Sequence, residues 1–436
     1  MPPSPEPTRI YSMPLLPSQK VFLNKLKWFI YEKVTSVYDR LLFMAGPPCG
    51  IDIGANKAKI IVYVGESLPP RIARIAKWSK RFDTFTTILL CHERGFVEKF
   101  SNPDIDHTFL FRNEWHLRRI IKSIPNPYII HGFAPKSKYP YIAKKAWQKI
   151  NPFTPFIIDY QDVFTIYYGT VPKYNWLKEE LPYERDCLAE SDGIVANSLE
   201  PREGMRIWNI KKSGKRIFFP LYTDNDSFLN PQKKFSYDDI HLVYAGGVMG
   251  SHRDKVHYGA TQFHWLIEYL SEQKIHFHIY PSPSVMKADY EEYKEIAKHS
   301  TYFHYHEPVS QTELSKELAK YHYGLMPFFL GSSGQSDLKH KYATTLKLFN
   351  YVESGIPILV SADVQYQSWI VNRYSLGKTL NSKEDFKDLR KLIGDIPYDE
   401  QVRRMLVNRE KLSLKVHMPR LLEFYKALQD KRTNNL

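Results

Sequence analysis

The chain is poor in cysteine, in acid and in long apolar runs. Only three cysteines, Cys49, Cys91 and Cys187, occur in 436 residues, and they lie far apart. No disulfide framework and no paired-cysteine metal site follows from that spacing, so a reducing compartment is expected. Acids are short as well: 47 Asp and Glu stand against 61 Lys and Arg, a formal net charge of +14. Such an excess suits phosphorylated substrates, an anionic membrane surface or nucleic acid, and does not choose among them. The bases are scattered and interleaved with acids, which makes nucleic acid the poorest of the three fits. No apolar run approaches the roughly 20 residues that span a bilayer. The first residues, Met-Pro-Pro-Ser-Pro-Glu-Pro, have no basic stretch leading into an apolar one, so no signal peptide is expected. The reading is a cytoplasmic protein, with peripheral contact at the inner face of a membrane left open. Several motifs are missing too: zinc-type spacing, H-E-x-x-H, G-x-S-x-G, Walker A, the dinucleotide fingerprint G-x-G-x-x-G, and a D-x-D at a strand end. No metal and no bound cofactor are expected.

Aromatic residues are plentiful, with 30 Tyr and 25 Phe. They suit buried cores and sugar-stacking surfaces alike. The length supports two or three domains. Residues 1–19 are rich in proline. Across 20–45, Val21, Phe22, Leu26, Phe29, Ile30, Val34, Val37, Tyr38, Leu41 and Leu42 recur at helical spacing, with Lys20, Lys25, Lys27, Lys33 and Arg40 among them. Two readings stand for this basic amphipathic helix: packing on a neighbouring domain, or lying in a membrane interface. Gly46, Pro47, Pro48, Gly50 and Gly54 then mark a linker.

From Lys59 onward, short apolar strands alternate with helical patterns. Strands are expected at Lys59–Val64, Phe85–Cys91, Thr108–Phe111, Tyr128–His131, Phe156–Asp159 and Gly193–Ala196. A second series holds Ile240–Tyr244, Ile275–Tyr280, Thr301–His304, Tyr323–Met326 and Ile358–Val360. Alternation of this kind argues an α/β fold with parallel sheets and helices on both faces. The economical division is an N-terminal extension over 1–56, a first Rossmann-like domain over 57–222, a second over 223–400, and a basic helical tail over 401–436.

Ligands of such sheets bind beyond the C-terminal strand ends, so the residues there carry the weight. After Ile240–Tyr244 come Gly246 and Gly247, which let backbone amides approach phosphate, with Arg253 and Lys255 close behind. After Met326 lies a polar Gly331–Ser336 loop, with Ser332, Ser333 and Gly334, able to cradle phosphate oxygens or simply to be a surface loop. Thr344, Thr345, Lys347 and Asn350 fall on a helix whose apolar side is Leu348, Phe349 and Val352. Gly355 stops that helix and Pro357 prevents its continuation. Lys347 can supply a point charge and Asn350 can bond a ribose hydroxyl, with Glu353 a turn further on. In the first domain, Asp159 and Asp162 sit near the end of one strand and His131 ends another. These are the candidates for proton transfer to or from an acceptor hydroxyl. Asn197 and Ser198 follow a third strand.

The segment Lys347–Ser361 resembles the K-L-x-E-Y-x-x-x-G-x-P-V-V stretch of GT-B glycosyltransferases, close to the retaining, sugar-nucleotide-dependent family 4 type. It departs at Asn350, where that family usually carries Glu. The resemblance implies two Rossmann-like domains facing a cleft, with a nucleotide-sugar donor on the second and an acceptor on the first. It places the diphosphate over Gly246, Gly247, Arg253, the Gly331–Ser336 loop and Lys347, and it implies that the C-terminal tail crosses back to the first domain. The expected function is transfer of a sugar to a glycan or lipid-linked acceptor, without a metal. Two alternatives remain open: an inactive binding or scaffold protein of this fold, and a sugar-nucleotide epimerase.

Overall fold

The computed structural model describes residues 17–45, 59–94, 103–172, 174–211, 213–232, 239–282, 285–330 and 335–433. The expected linker at 46–56 and the loop residues Ser332, Ser333 and Gly334 lie outside them.

Two parallel sheets organise the chain. The first contains β1 (Lys59–Gly65), β2 (Phe85–His92), β3 (His107–Phe111), β4 (Ile129–Ala134), β5 (Phe156–Tyr160), β6 (Gly193–Ala196) and β7 (Lys215–Phe218). Its order is β3-β2-β1-β4-β5-β6-β7. The second contains β8 (His241–Gly246), β9 (His276–Pro281), β10 (Phe303–Tyr305), β11 (Tyr323–Met326), β12 (Ile358–Ser361) and β13 (Gly377–Leu380), in the order β10-β9-β8-β11-β12-β13. Both are doubly wound, and their order reverses beside the first strand, between β1 and β4 and between β8 and β11. The crevice at such a reversal is where open sheets bind ligands. Central strands such as Ile61–Val64 and Ile358–Val360 are fully buried, as apolar runs covered by helices on both faces must be.

The helix Pro70–Phe82 explains much of how the domains meet. Its buried side carries Ile72, Ile75 and Ala76. Arg71, Arg74, Lys77, Trp78 and Arg81 recur every three or four residues and grip the connection between domains. Arg71 donates to the carbonyls of Phe219 and Pro220 at 2.6 Å each. Lys77 and Trp78 donate to Asp224 at 2.7 and 3.0 Å. Lys77 also pairs with Asp226, at 2.6 Å. Part of the basic excess is therefore consumed inside the molecule. The helix Leu414–Thr433 lies on the first domain, where Tyr425 meets β4 and Gln429 donates to the Tyr128 carbonyl.

The helix Pro17–Ala45 docks on the first domain through Asp39, which accepts from Arg112 twice at 2.7 Å and from Asn113 at 2.8 Å. Burial would raise that carboxyl, but the Arg112 and Asn113 hydrogen bonds hold it below its usual range. Packing on the neighbouring domain therefore occurs. Yet the other side leaves Ile30, Val34, Val37, Leu41 and Met44 between 52% and 75% exposed.

Candidate functional site

The centre of the site is the start of the helix Leu346–Ser354. Thr345 precedes it in extended backbone and offers no side-chain cap, while Gly355 closes it in the left-handed conformation at φ 75°. Uncapped N–H groups at a helix start favour an anion. Lys347 sits in this first turn. Its stem passes directly over Gly246, where a Cβ would stand 2.4 Å from Lys347 Cε and 2.8 Å from Nζ. Gly246 also holds φ at +148°, which side-chain-bearing residues rarely adopt. The glycine is thus needed to seat the lysine. No such crowding applies at Gly247, where a Cβ would meet nothing within 4 Å.

The Lys347 ammonium lies 5.4 and 5.3 Å from the ring centres of Tyr244 and Phe328. Among the described residues it has no hydrogen-bond or ion-pair partner. Burial pushes its pKa down to about 8. The Thr344 hydroxyl, three residues earlier in the chain, is buried and among the described residues equally without a hydrogen-bond partner. Thr345 is not available in the same way, because it donates to Gln367 at 3.0 Å. His340 stacks on Phe328, with ring centres 6.2 Å apart, and burial with the Lys339 and Lys347 charges pushes it down to about 4. A lone cation and a lone hydroxyl at a helix start form an incomplete electrostatic arrangement. A half-buried charge with no counter-ion among the described residues is costly, and an anionic group would relieve that cost.

Other expected donor contacts are committed elsewhere. Arg253 is held bidentately by Asp289, at 3.0 and 2.9 Å, so its charge is already neutralised. Asn350 is buried at 3% exposure, on what the sequence suggested was a polar side. Glu353 pairs with Arg74 at 2.7 Å and accepts from the Asp224 N–H at 3.1 Å. Six residues beyond Lys347 the helix has turned by about 240°, which carries Glu353 to the interdomain connection and away from the lysine.

In the first domain the expected strand ends fall short of the real ones. β4 runs on to Ala134 and β5 to Tyr160, so His131 and Asp159 lie inside strands and are 0% exposed. Both project into the layer beneath the helices Pro70–Phe82 and Leu414–Thr433. Asp159 accepts from Arg71 at 2.8 Å. His131 Nδ1 meets Tyr425 Oη at 2.7 Å, and its Nε2 stands 3.5 Å from Asp159, long for a hydrogen bond. Burial holds His131 neutral, with its pKa lowered. Asp159 is held below its usual carboxylate range because the Arg71 charge outweighs the burial that would raise it. Neither side chain reaches the cleft.

Asp162 does reach it. The carboxylate is 40% exposed and pairs at 2.8 Å with Lys339 from the second domain. Beside it stands Glu200, which the sequence reading passed over. Glu200 Oε2 accepts from the Val163 N–H at 2.9 Å, while Oε1 is buried without a partner. Burial, with the Asp162 charge adding to it, pushes its pKa up to about 8. A carboxyl that holds its proton near neutral pH can act as acid or base. Asn197 Oδ1, at the end of β6, is likewise buried and unpartnered. Glu200 follows Asn197-Ser198 closely, and that strand-end position was the signal that could have found it.

No protein-family model matches the sequence, and no curated protein matches it. Solved structures do. A sucrose-phosphate synthase from Thermosynechococcus elongatus superposes with a TM-score of 0.57 at 11% identity, covering 85% of this chain and 99% of that one. The N-terminal domain of a trehalose-6-phosphate phosphatase from Candida albicans gives 0.58 at 11% identity, over 87% and 99%. HepE from Anabaena, solved in complex with UDP, gives 0.56 at 10% identity, over 85% and 100%. At such identities the likeness is one of architecture, and with two doubly wound sheets meeting at a cleft the chain has the GT-B fold.

Proposed function

We propose that this protein is a glycosyltransferase that moves a sugar from a nucleotide-sugar donor to a glycan or lipid-linked acceptor. The observation that carries the reading is Lys347, a cation without a counter-ion among the described residues, at an uncapped helix start and at the strand-order reversal of the second sheet. A diphosphate would supply the missing charge. As the sugar–phosphate bond breaks, negative charge grows on the leaving diphosphate, and Lys347 with the helix N–H groups would stabilise it. Across the cleft, Asp162 is the exposed carboxylate placed to bind or deprotonate an acceptor hydroxyl, with the protonated Glu200 buried beside it. The complex of HepE with UDP is in keeping with a nucleotide on this fold.

A thermal-shift panel of UDP-, GDP-, ADP- and CMP-sugars tests the donor site. At least one should raise the melting temperature, since a ligand of the native state stabilises it. A flat response to all of them removes the proposal. A shift without transfer or hydrolysis would favour a binding protein instead.

The surface of the helix Pro17–Ala45 supports a membrane-facing acceptor. Ile30, Val34, Val37, Leu41 and Met44 repeat at alternating spacings of four and three and stay exposed. Both acids of the helix in this stretch are paired, Glu32 with Arg94 at 3.2 Å and Asp39 with Arg112 at 2.7 Å. Lys27, Lys33 and Arg40 remain exposed. An apolar stripe flanked by exposed bases fits an anionic lipid surface. The protein should float with phosphatidylglycerol vesicles and not with phosphatidylcholine ones, and Val37→Asp/Leu41→Asp should abolish flotation. Equal recovery of that variant would exclude this helix as the anchor.

A further inference from the structure

The N-terminal edge of the second sheet carries a cluster that the sugar-transfer reading does not use. His241 opens β8 and His276 opens β9, and the two are register partners. His278 is paired in register with His304 of β10. Alternation along parallel strands therefore places four imidazoles on one face. The rings of His241 and His276 stack at 4.3 Å, and those of His278 and His304 also at 4.3 Å.

We infer that His241, His276 and His278 form a binding site for a divalent transition-metal ion of the Zn2+ type. One ring nitrogen from each lies within 4.8 Å of the other two. Tetrahedral zinc with bonds of about 2.0–2.1 Å needs its nitrogens roughly 3.4 Å apart, so the site is completed by side-chain rotations that turn the rings of His241 and His276, now only 5° from parallel, toward a common point. Imidazole nitrogen suits zinc, copper and nickel among first-row ions.

The surroundings match what metal ligands require. Asp239 stands 3.1 Å from His241 Nε2 and 3.0 Å from His276 Nε2. A carboxylate on the far nitrogen of a ligating histidine fixes its tautomer and strengthens it as a ligand. His241 Nδ1 and His278 Nε2 are 2.8 Å apart and share a proton. A metal can take that proton's place. The proton moves to His278 Nδ1, which then donates to His306 Nε2 at 3.0 Å as the His306 proton shifts to Nδ1, and His276 Nδ1 exchanges its 2.8 Å bond to His304 Nε2 for the metal, so a tautomer change along the chain of rings accommodates the ion without loss of a proton. Burial keeps His241 and His278 neutral, with His241 lowered to about 4. The neutral ring is the form that ligates. Asp239 is 52% exposed and His276 16%, which gives an ion a way in.

The cluster is distinct from the donor site. β8 runs from His241 to Gly246, so the two ends are separated by roughly 17 Å of strand. A metal here would tie β8 to β9 and take no part in sugar transfer, and the inference stands whether or not the donor proposal does.

The test is equilibrium dialysis of the full-length, tag-free protein against Zn2+, followed by metal analysis and thermal unfolding. One Zn2+ per chain and a raised melting temperature are expected. His276→Gln/His278→Gln should lose both effects while keeping the far-UV spectrum of the native fold. Wild-type protein that retains no Zn2+ overturns the inference, as does full retention by the variant. Should the variant not fold, Co2+ loaded into the wild type decides. Strong visible absorption of a tetrahedral nitrogen site supports the assignment, and its absence sinks it.

Discussion

Lys347→Ala should bind the nucleotide-sugar donor roughly tenfold to a hundredfold more weakly than the native protein, the cost of losing a charged hydrogen-bond donor worth about 1.5–3 kcal/mol. The fold should survive, because the ammonium makes no hydrogen bond or ion pair among the described residues. Calorimetric titration with the donor found by the sugar panel checks both statements. The dependence on pH gives a sharper signature. Burial has lowered the lysine to about 8 in the free protein, and a bound diphosphate would raise it again. Affinity should therefore be level below about pH 8. Above it, affinity should fall as the free protein loses the proton that binding demands. Lys347→Arg keeps its charge throughout, so whatever affinity it retains should stay level across the same range. A native profile that remains flat to pH 9.5 would show that this ammonium does not meet the phosphate.

The helix-glycine-proline-strand order of Lys347–Ser361 was legible because each step has a local cause. Leu348, Phe349 and Val352 define the packed side, Gly355 takes the left-handed cap, and Ile358–Val360 can only be a covered strand. The central strands were legible for the same reason. The edge strands β7 and β13 were not, since Lys215-Arg-Ile-Phe218 and Gly377-Lys-Thr-Leu380 hold too few apolar residues in a row, whereas the edge strand β3 still carries Phe109-Leu110-Phe111. Without an apolar run an edge strand gives no pattern to read. Site residues suffered from a different limit. Sequence places a residue near a strand end within a few positions, but two positions decide whether it faces the cleft or the core. His131 and Asp159 fell on the core side, while Asp162, two positions past β5, reaches the cleft, and Glu200, a few residues past β6, is buried beside it. Pairing is hidden as well: nothing local shows that Arg253 is held by Asp289, or that Glu353 answers Arg74 from 279 residues away. The histidine cluster escaped notice for that reason too, because its members lie on separate strands and meet only through register.

The largest effect on stability should come from Arg71→Met, at about 3–5 kcal/mol, the usual cost of stripping one partner from a buried ion pair. Arg71 is 3% exposed in its side chain and Asp159 0%. Without the guanidinium, Asp159 keeps only the distant His131 ring, and its Oδ1 has no partner even in the native protein. The carbonyls of Phe219 and Pro220 lose their donor in the same substitution. Those carbonyls belong to the connection that leads from the end of β7 toward the second sheet, so the loss loosens the joint on which cleft geometry depends. Acid should narrow the gap between variant and native protein. Asp159 is held below the usual carboxylate range in the folded state. Its contribution is therefore complete above the unfolded value of about 3.9 and is lost as pH falls through the lowered folded value. In the variant the same carboxyl, buried and unpaired, takes up its proton earlier and escapes part of the penalty. Arg71→Met/Asp159→Asn should recover a good part of the loss at neutral pH, because no uncompensated charge remains. Urea unfolding of the four proteins of this cycle at pH 7 and pH 4.5 measures each term. A single variant as stable as the native protein, or a double variant no better than Arg71→Met, would show that the buried pair does not hold the joint.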